Sequence, residues 1–229
     1  IFQPKKGFRV SIDSILLSSS IKEYSNCMEF GTGSGIIIIY LSKKFPNSKI
    51  IGVEKNIELV KLANKNLLKN NINNINSKIL CNDLFNKPFL QEYNNKLDRV
   101  IMNPPYFISN NVIKSNNKFK ASARYESNIN EWFEAAYKKL KPKGYMNFVF
   151  RTESLDLILS NLNGSWGEIK IFPLWPKVNV KSKLMILQAK KNAKSGVQIL
   201  PGLILHNNDG SYTDACNSIL NNKSDIQLD

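Results

Sequence analysis

Histidine and cysteine are scarce in this sequence, and their scarcity limits the chemistry that it can carry. The 229 residues include one histidine and three cysteines. A site with several histidine ligands is therefore excluded, and a nucleophile activated by histidine would have to use His206. Cys27, Cys81 and Cys216 are far apart and odd in number, which fits neither a disulfide framework nor paired CxxC zinc ligands. We expect no metal site, and we expect Cys27 and Cys81, which lie in apolar runs, to be reduced core residues.

The sequence also lacks a long apolar run. A membrane-spanning helix needs roughly 20 consecutive apolar residues, whereas the longest apolar stretch is GIIIIYL, at 35–41. No secretory signal is visible, although the chain begins at Ile1. These features favour a cytoplasmic protein that does not associate with membranes.

Acidic residues are the third group in short supply. The chain has 18 Asp and Glu against 32 Lys and Arg, which leaves a formal net charge of +14. A field of this sign attracts polyanions and speeds their association, so a nucleic acid is the expected partner. The alternative is an AT-rich genome, whose codons add Lys and Asn without any functional cause.

Strand-like and helix-like segments alternate along the whole chain. Strands are predicted at 27–30, 48–54, 77–83, 98–103, 145–150, 168–175 and 183–191. Helices are predicted at 11–21, 36–45, 56–71, 131–144 and 153–162, with Asn56 as the N-cap of the third. This order predicts an α/β fold with a mostly parallel, doubly wound sheet of seven strands. The last two strands have no predicted helix between them and are expected to be antiparallel.

The predicted organisation is one domain over residues 1–229. A tail at 195–229 contains an extended stretch, a turn at 208–210 and a short helix, and it is expected to pack on the domain.

A glycine-rich turn follows the first predicted strand, in the segment EFGTGSG from Glu29 to Gly35. In folds of this kind, ligands bind beyond the carboxyl ends of the strands. Gly31, Gly33 and Gly35 allow the chain to turn and let the backbone approach a ligand closely. The spacing is GxGxG rather than the GxGxxG of dinucleotide sites, and the alternative is a plain tight turn between strand and helix.

Carboxylates stand at the ends of the next two predicted strands. Glu54 lies about 20 residues beyond the glycine turn, where a carboxylate accepts the hydroxyls of a ribose. Asp83 ends the third strand, where it would meet an adenine amine. Either residue alone would be an ordinary surface carboxylate, but the three strand ends together match S-adenosylmethionine. This cofactor has no pyrophosphate, in agreement with the absence of GxGxxG.

The fourth predicted strand ends in Asn103-Pro104-Pro105-Tyr106. In this order, EFGTGSG, GVE, ND and NPPY resemble Rossmann-like, class I S-adenosylmethionine-dependent methyltransferases that act on an amino group conjugated to a π-system. The resemblance implies that Asn103 and Pro104 offer their oxygens to the N–H groups of the acceptor amine, and that Tyr106 stacks on the base. It implies catalytic roles for Asn103, Pro104, Pro105 and Tyr106.

Longer segments carry a more specific resemblance. QPKKGFRVSIDSILLSS at 3–19, KASARYE at 120–126 and LPGLILHNNDGSYTDACNSIL at 200–220 are similar to the bacterial methyltransferases that modify N6 of adenine 37 in valine tRNA. The resemblance implies that residues 1–25 cover the cofactor. It implies that the cofactor contacts Asp13, Ser14, Glu29, Gly31, Thr32, Gly33, Gly35, Glu54, Asp83, Leu84 and Asn103.

Basic residues interleaved with aromatic rings mark candidate contacts to RNA, which we expect to be tRNA. The main cluster falls in the polar segment 108–127, and the alternative there is a solvated loop. The candidate RNA-binding residues are Arg9, Lys114, Lys118, Lys120, Arg124 and Lys177.

Other functions remain open from the sequence. Methyltransferases that act on the glutamine amide of release factors also carry NPPY, because that amide nitrogen is likewise conjugated. Enzymes for guanine N2 or cytosine N4 have related motifs. A non-catalytic RNA-binding factor that kept the fold is a third possibility, against which the intact Glu29, Glu54, Asp83 and Asn103 argue.

Overall fold

Nine strands and six helices are found within the residues that the computed structural model describes, which are 1–4, 11–72, 75–104, 129–162 and 164–228. The strands are β1 (Asn26–Phe30), β2 (Lys49–Glu54), β3 (Ser77–Cys81), β4 (Leu97–Met102), β5 (Leu140–Arg151), β6 (Trp166–Trp175), β7 (Leu184–Lys191), β8 (Val197–Ile199) and β9 (Leu203–Ile204). The helices are α1 (Ile12–Ser19), α2 (Ile36–Lys44), α3 (Ile57–Lys69), α4 (Ile129–Lys139), α5 (Leu155–Asn161) and α6 (Asp214–Leu220).

The strands form one sheet in the order β3-β2-β1-β4-β5-β7-β6-β8, and β9 also pairs with β6. All the pairings are parallel except those of β7, which runs antiparallel to both of its neighbours. The predicted α/β fold with a mostly parallel sheet and an antiparallel last main strand is confirmed. The tail adds the two short strands β8 and β9, which supply hydrogen-bond partners to the outer edge of β6.

Helices cover both faces of the sheet. Apolar side chains of α1, α2, α3 and α6 pack on one face, and those of α4 and α5 pack on the other. This double winding leaves the carboxyl ends of β1 to β5 and of β6 on one edge of the sheet. The glycine turn, the two carboxylates and Asn103 all follow strands that end on this edge.

Three local expectations have different outcomes. Asn56 is confirmed as the N-cap of α3, since its side-chain oxygen accepts a hydrogen bond from Glu58 N at 2.9 Å. The helix predicted at 131–144 ends at Lys139, because the next residue, Leu140, already pairs with Leu97 in the sheet. The expected burial of Cys81 is wrong: β3 is the edge strand of the sheet, and this cysteine is exposed at its end.

Asp98 ties the start of β1 to β4 at the opposite, amino edge of the sheet. Its carboxylate accepts hydrogen bonds from the backbone N of Ser25 at 3.0 Å and of Asn26 at 2.7 Å, and it forms an ion pair with Lys141. Partial burial works to raise the pKa of Asp98, but the hydrogen bonds from Lys141 and from the backbone outweigh it and lower this pKa below its ordinary value.

We expect Asp98→Asn to reduce the free energy of unfolding by about 1–2 kcal/mol near pH 7, because a charged acceptor of two backbone amides is lost. A carboxylate with a depressed folded pKa stabilises the protein above its unfolded pKa of about 4, and that stability is lost as the pH falls below this value. Urea unfolding at about pH 7 and pH 3 checks this, with the exposed Asp156→Asn as the control. Equal losses for Asp98→Asn at both pH values would contradict it.

Candidate active site

The glycine turn is fastened to the end of β2 by backbone hydrogen bonds. The N–H groups of Gly31 and Thr32 both donate to the carbonyl of Val53, at 2.9 and 3.0 Å, and Gly35 N donates to Thr32 O at 3.0 Å. Gly33 and Gly35 have φ values of 57° and 87°, in the region that side chains with a Cβ rarely adopt. Glycine is therefore required at these positions by the backbone itself.

The surroundings of the turn show which of its glycines faces open space. A Cβ at Gly31 would lie 3.2 Å from Cη2 of Trp132 in α4, and a Cβ at Gly35 would lie 3.3 Å from the Cβ of Ala63 in α3. Among the described residues, a Cβ at Gly33 would meet nothing within 4 Å. Helices thus pack closely at both ends of the turn, while its middle borders an open cleft.

Gly52 is a requirement of the site that the sequence motifs did not reveal. It pairs with Glu29 across β1 and β2, directly below the turn. A Cβ at Gly52 would collide with Thr32 Oγ1 and with Ile38. A side chain at this position would push the turn away from β2.

Glu54 is oriented by the backbone on both of its oxygens. Oε2 accepts a hydrogen bond from Gly33 N at 3.0 Å, and Oε1 accepts one from Asn56 N at 2.9 Å. The residue is 9% exposed. A carboxylate is thus held at the middle of the glycine turn, where the turn borders open space.

Glu29 lies beneath the turn rather than on its surface. It is 2% exposed, and its Oε2 has no hydrogen-bond partner in the described part of the chain. Burial raises the pKa of Glu29 well above its ordinary value, and the negative charge of Glu54 adds to the increase. Native proteins rarely leave a buried carboxyl oxygen without a partner, so this group points to a ligand or a bound water.

Asn103 leaves β4 next to the point where Gly31 leaves β1, because Met102 and Phe30 are paired in the sheet. Its Nδ2 donates a hydrogen bond to Oγ of Ser14 at 3.0 Å. This bond orients the carboxamide and turns Oδ1 to the side away from Ser14. Pro104, the next residue, is buried.

The start of α1 lies next to Asn103. Asp13 and Ser14 are 9% and 7% exposed. Oδ2 of Asp13 accepts a hydrogen bond from the hydroxyl of Ser11 at 2.9 Å. The hydrogen bond between Ser14 and Asn103 joins the start of α1 to the residue that follows β4, at positions 89 apart in the sequence.

Asp83 and Leu84 extend the site past the end of β3. Asn82 N donates to the carbonyl of Glu54 at 3.1 Å, and Oδ1 of Asp83 accepts from Phe85 N at 2.9 Å. Leu84 packs against the core on the α4 side. An open groove of about 540 Å³ borders Asp83 and is also lined by Lys55, Asn56, Cys81, Asn82 and Asn86.

The structure therefore gathers most of the predicted site residues at one edge of the sheet. Those found there are Asp13, Ser14, Glu29, Gly31, Thr32, Gly33, Gly35, Glu54, Asp83, Leu84, Asn103 and Pro104. Lys177 follows the end of β6, on the same edge but separated from Asn103 by β5 and β7, and its Nζ donates to the carbonyl of Asn208 at 2.9 Å. The predicted residues outside the described parts of the chain are Arg9, Pro105, Tyr106, Lys114, Lys118, Lys120 and Arg124.

The residues present fit a nucleoside cofactor that carries positive charge. Carboxylates stand at the ends of β2 and β3, where a ribose and an adenine amine need acceptors. The open side of Gly33 leaves room for a ligand against the backbone, and the buried Oε2 of Glu29, two residues before the turn begins at Gly31, has no partner among the described residues. No group of three or more His, Cys, Asp or Glu residues suited to a metal ion occurs among the described residues. Within the same residues, no helix combines the length and apolarity of a membrane span.

A doubly wound α/β sheet with a glycine turn after β1, a ribose-type carboxylate after β2 and an Asn-Pro pair after β4 defines an S-adenosylmethionine-dependent methyltransferase. Residues 9–157 match the Methyltransferase small domain family. The chain belongs to this family, and S-adenosyl-L-methionine is its cofactor.

Individual relatives agree with this assignment. The chain is 27% identical over 222 residues to the tRNA1(Val) (adenine(37)-N6)-methyltransferase of Haemophilus influenzae (strain PittGG), covering 94% of this chain and 90% of the relative. A bifunctional methyltransferase of Rickettsia prowazekii is 34% identical over 104 residues, 45% of this chain and 18% of that protein. The fold is similar to that of a crystal structure from Agrobacterium tumefaciens described as a predicted O-methyltransferase, with a TM-score of 0.78, 17% identity, and 94% and 98% coverage of the two chains.

We expect Gly33→Ala to weaken cofactor binding about tenfold, because its methyl group would enter the open cleft. The positive φ costs roughly 1–2 kcal/mol of stability in addition. Gly164→Ala is the matched control: its φ is 75° and its added Cβ also meets nothing within 4 Å, but it lies between α5 and β6. Calorimetry and thermal unfolding of both variants check this; equal cofactor affinity in both variants would contradict it.

Proposed function

We propose that the protein transfers the methyl group of S-adenosyl-L-methionine to the exocyclic N6 amine of an adenine in RNA, and that the RNA is a tRNA. The observation that carries the proposal is the position of Asn103. Its carboxamide is oriented by Ser14, it lies beside the glycine turn, and buried Pro104 follows it. The name of the Haemophilus relative supports tRNA as the substrate class.

The chemical problem in this reaction is the weak nucleophilicity of the amine. The lone pair of an exocyclic adenine amine is delocalised into the ring. Two carbonyl-type oxygens that accept hydrogen bonds from its two N–H groups favour a pyramidal nitrogen with a directed lone pair. Asn103 Oδ1 and the Pro104 carbonyl are suited to this task because proline has a fixed φ and Ser14 holds the other side of the carboxamide.

The protein contributes positioning and electrostatics rather than a strong base. When bound, the cofactor supplies an electrophilic methyl group on a sulfonium. Glu54 and Asp83, both oriented by backbone N–H groups, would hold its nucleoside, and the glycine turn would face its amino-acid part. In this arrangement Asp13 and Ser14 would lie between the cofactor and Asn103.

The glutamine amide of a release factor presents the same conjugated nitrogen, and it is the main competing acceptor. The net charge of +14 favours RNA over a protein substrate, because a polyanion gains from this field. The proposed tRNA substrate also implies a cytoplasmic location.

We further propose that RNA lies across the β5–β7–β6 part of the carboxyl edge. β7 is antiparallel to both β5 and β6, so β6 ends on the same edge as β4 and Asn103. The loop from β6 to β7 carries Lys177, Lys181 and Lys183, the last two of which are exposed. Exposed lysines beside the substrate end of the cleft suit contacts to phosphates. Arg9, Lys114, Lys118, Lys120 and Arg124 stay predictions for the same role.

We expect Asn103→Ala to lower kcat by about 100-fold or more while cofactor affinity stays within about twofold, because the lost oxygen acts on the acceptor amine. Ser14→Ala keeps that oxygen but loses the bond that orients it, so we expect a smaller fall in kcat. Turnover with tRNA and calorimetry with the cofactor check both. An unchanged kcat in Asn103→Ala would refute the proposed role.

We expect replacement of Lys177, Lys181 and Lys183 by Ala to raise KM for tRNA about tenfold and to flatten its dependence on salt, because phosphate contacts are lost. Cofactor affinity should not change. The matched control replaces three exposed lysines at the amino edge, Lys49, Lys96 and Lys194, which removes the same charge. An equal increase in KM in both triple variants would show a general field effect and contradict a local RNA-binding surface.

A further inference from the structure

The side chain of Asn66 makes three hydrogen bonds to two distant segments. Its Oδ1 accepts from Phe2 N at 2.7 Å, and its Nδ2 donates to Phe2 O at 2.9 Å and to Ser34 O at 2.9 Å. The residue is 0% exposed. One buried amide thus joins α3 to the start of the chain and to the glycine turn.

The contact with Ser34 bears directly on the cofactor cleft. Ser34 lies between Gly33, whose N–H binds Glu54, and Gly35, which packs against Ala63 one helical turn before Asn66. The same face of α3 therefore supports the turn at two points. Fixing the Ser34 carbonyl fixes the peptide plane next to the glycine that borders the open cleft.

The contact with Phe2 fixes the orientation of the Asn66 amide. The side-chain amide pairs with both the N–H and the C=O of Phe2, as a neighbouring strand would. The ring of Phe2 also lies under the ammonium group of Lys65, at 4.6 Å, although Phe2 itself is 44% exposed. A paired amide cannot rotate without breaking two hydrogen bonds, so its third bond, to Ser34, is directed as well.

We propose that Asn66 is a positioning residue that couples the docking of Phe2 on α3 to the shape of the glycine turn, and thereby to cofactor affinity. When Phe2 is docked, the amide of Asn66 is locked and the Ser34 carbonyl is held. When Phe2 is released, two of the three side-chain bonds of this buried amide are lost and the turn loses its support. Docked residues 1–4 thereby stabilise the cofactor complex through the glycine turn. This inference rests on the proposed function of the cleft.

The test measures cofactor binding in the full chain by calorimetry without RNA, and then turnover with tRNA at varied cofactor concentrations. Phe2→Pro removes the N–H that Asn66 accepts, whereas Phe2→Ala keeps that N–H and removes only the ring. We expect Phe2→Pro to weaken cofactor binding about tenfold and Phe2→Ala to weaken it no more than about threefold, with kcat at saturating cofactor unchanged in both. A rise in KM for the cofactor without a fall in kcat is the signature of positioning.

Asn66→Ala gives the second arm, with the half-buried Asn64→Ala of the same helix as its control. We expect Asn66→Ala to match Phe2→Pro, and the double variant to be no weaker than Asn66→Ala alone, because both changes break one coupled unit. If Asn66→Ala does not fold, the comparison of Phe2→Pro with Phe2→Ala still tests the coupling, because Phe2 is exposed and its replacement is tolerated more easily.

Equal cofactor affinity of Phe2→Pro, Phe2→Ala and the unchanged protein would overturn the inference, and so would additive effects in the double variant. Failure of the unchanged protein to bind S-adenosylmethionine would instead refute the proposed function. The two failures are therefore distinguishable in one set of titrations.

Discussion

The attachment of the glycine turn to the end of β2 is the constraint on which the site depends. The Val53 carbonyl accepts two N–H groups of the turn, and the Glu54 carboxylate accepts a third, so one strand end fixes three of its amides. Gly52 makes the close approach possible because any side chain there would displace Thr32. The carboxylate is thereby placed against open space, with the partnerless oxygen of Glu29 beneath it. These oxygens are therefore already positioned to accept hydrogen bonds from a cofactor that has several donor groups.

The order of the strands divides the carboxyl edge into two working halves. β3, β2 and β1 end at the groups suited to the cofactor, whereas β4, β5, β7 and β6 form the part of the sheet along which we propose that the RNA binds. Asn103 stands at the boundary, because β4 is paired with β1. Ser14 of α1 accepts a hydrogen bond from Asn103 Nδ2 at this boundary and thereby orients the carboxamide. In the proposed reaction, the methyl donor and the amine acceptor would lie at neighbouring strand ends, as in-line transfer requires.

Features encoded by short stretches of sequence were predictable, and features that depend on distant contacts were not. The alternation of strands and helices indicated the sheet, and the order of the glycine turn, Glu54 and the Asn-Pro pair indicated the cleft, since each motif fixes its own backbone. The roles of Gly52, Ser14 and Asn66 come from contacts between residues 14 to 89 positions apart in the sequence. Local hydrophobicity also misled at Cys81, because an apolar run does not reveal that its strand lies at the sheet edge.

The identity of the methylated product tests the central claim most directly. The protein would be incubated with S-adenosylmethionine carrying a labelled methyl group, together with total tRNA and total protein from bacterial cells. The RNA would then be digested to nucleosides and the protein to peptides, and both analysed by mass spectrometry. We expect labelled N6-methyladenosine in tRNA. Label in a glutamine side chain with none in RNA, or label on another nucleoside, would contradict it.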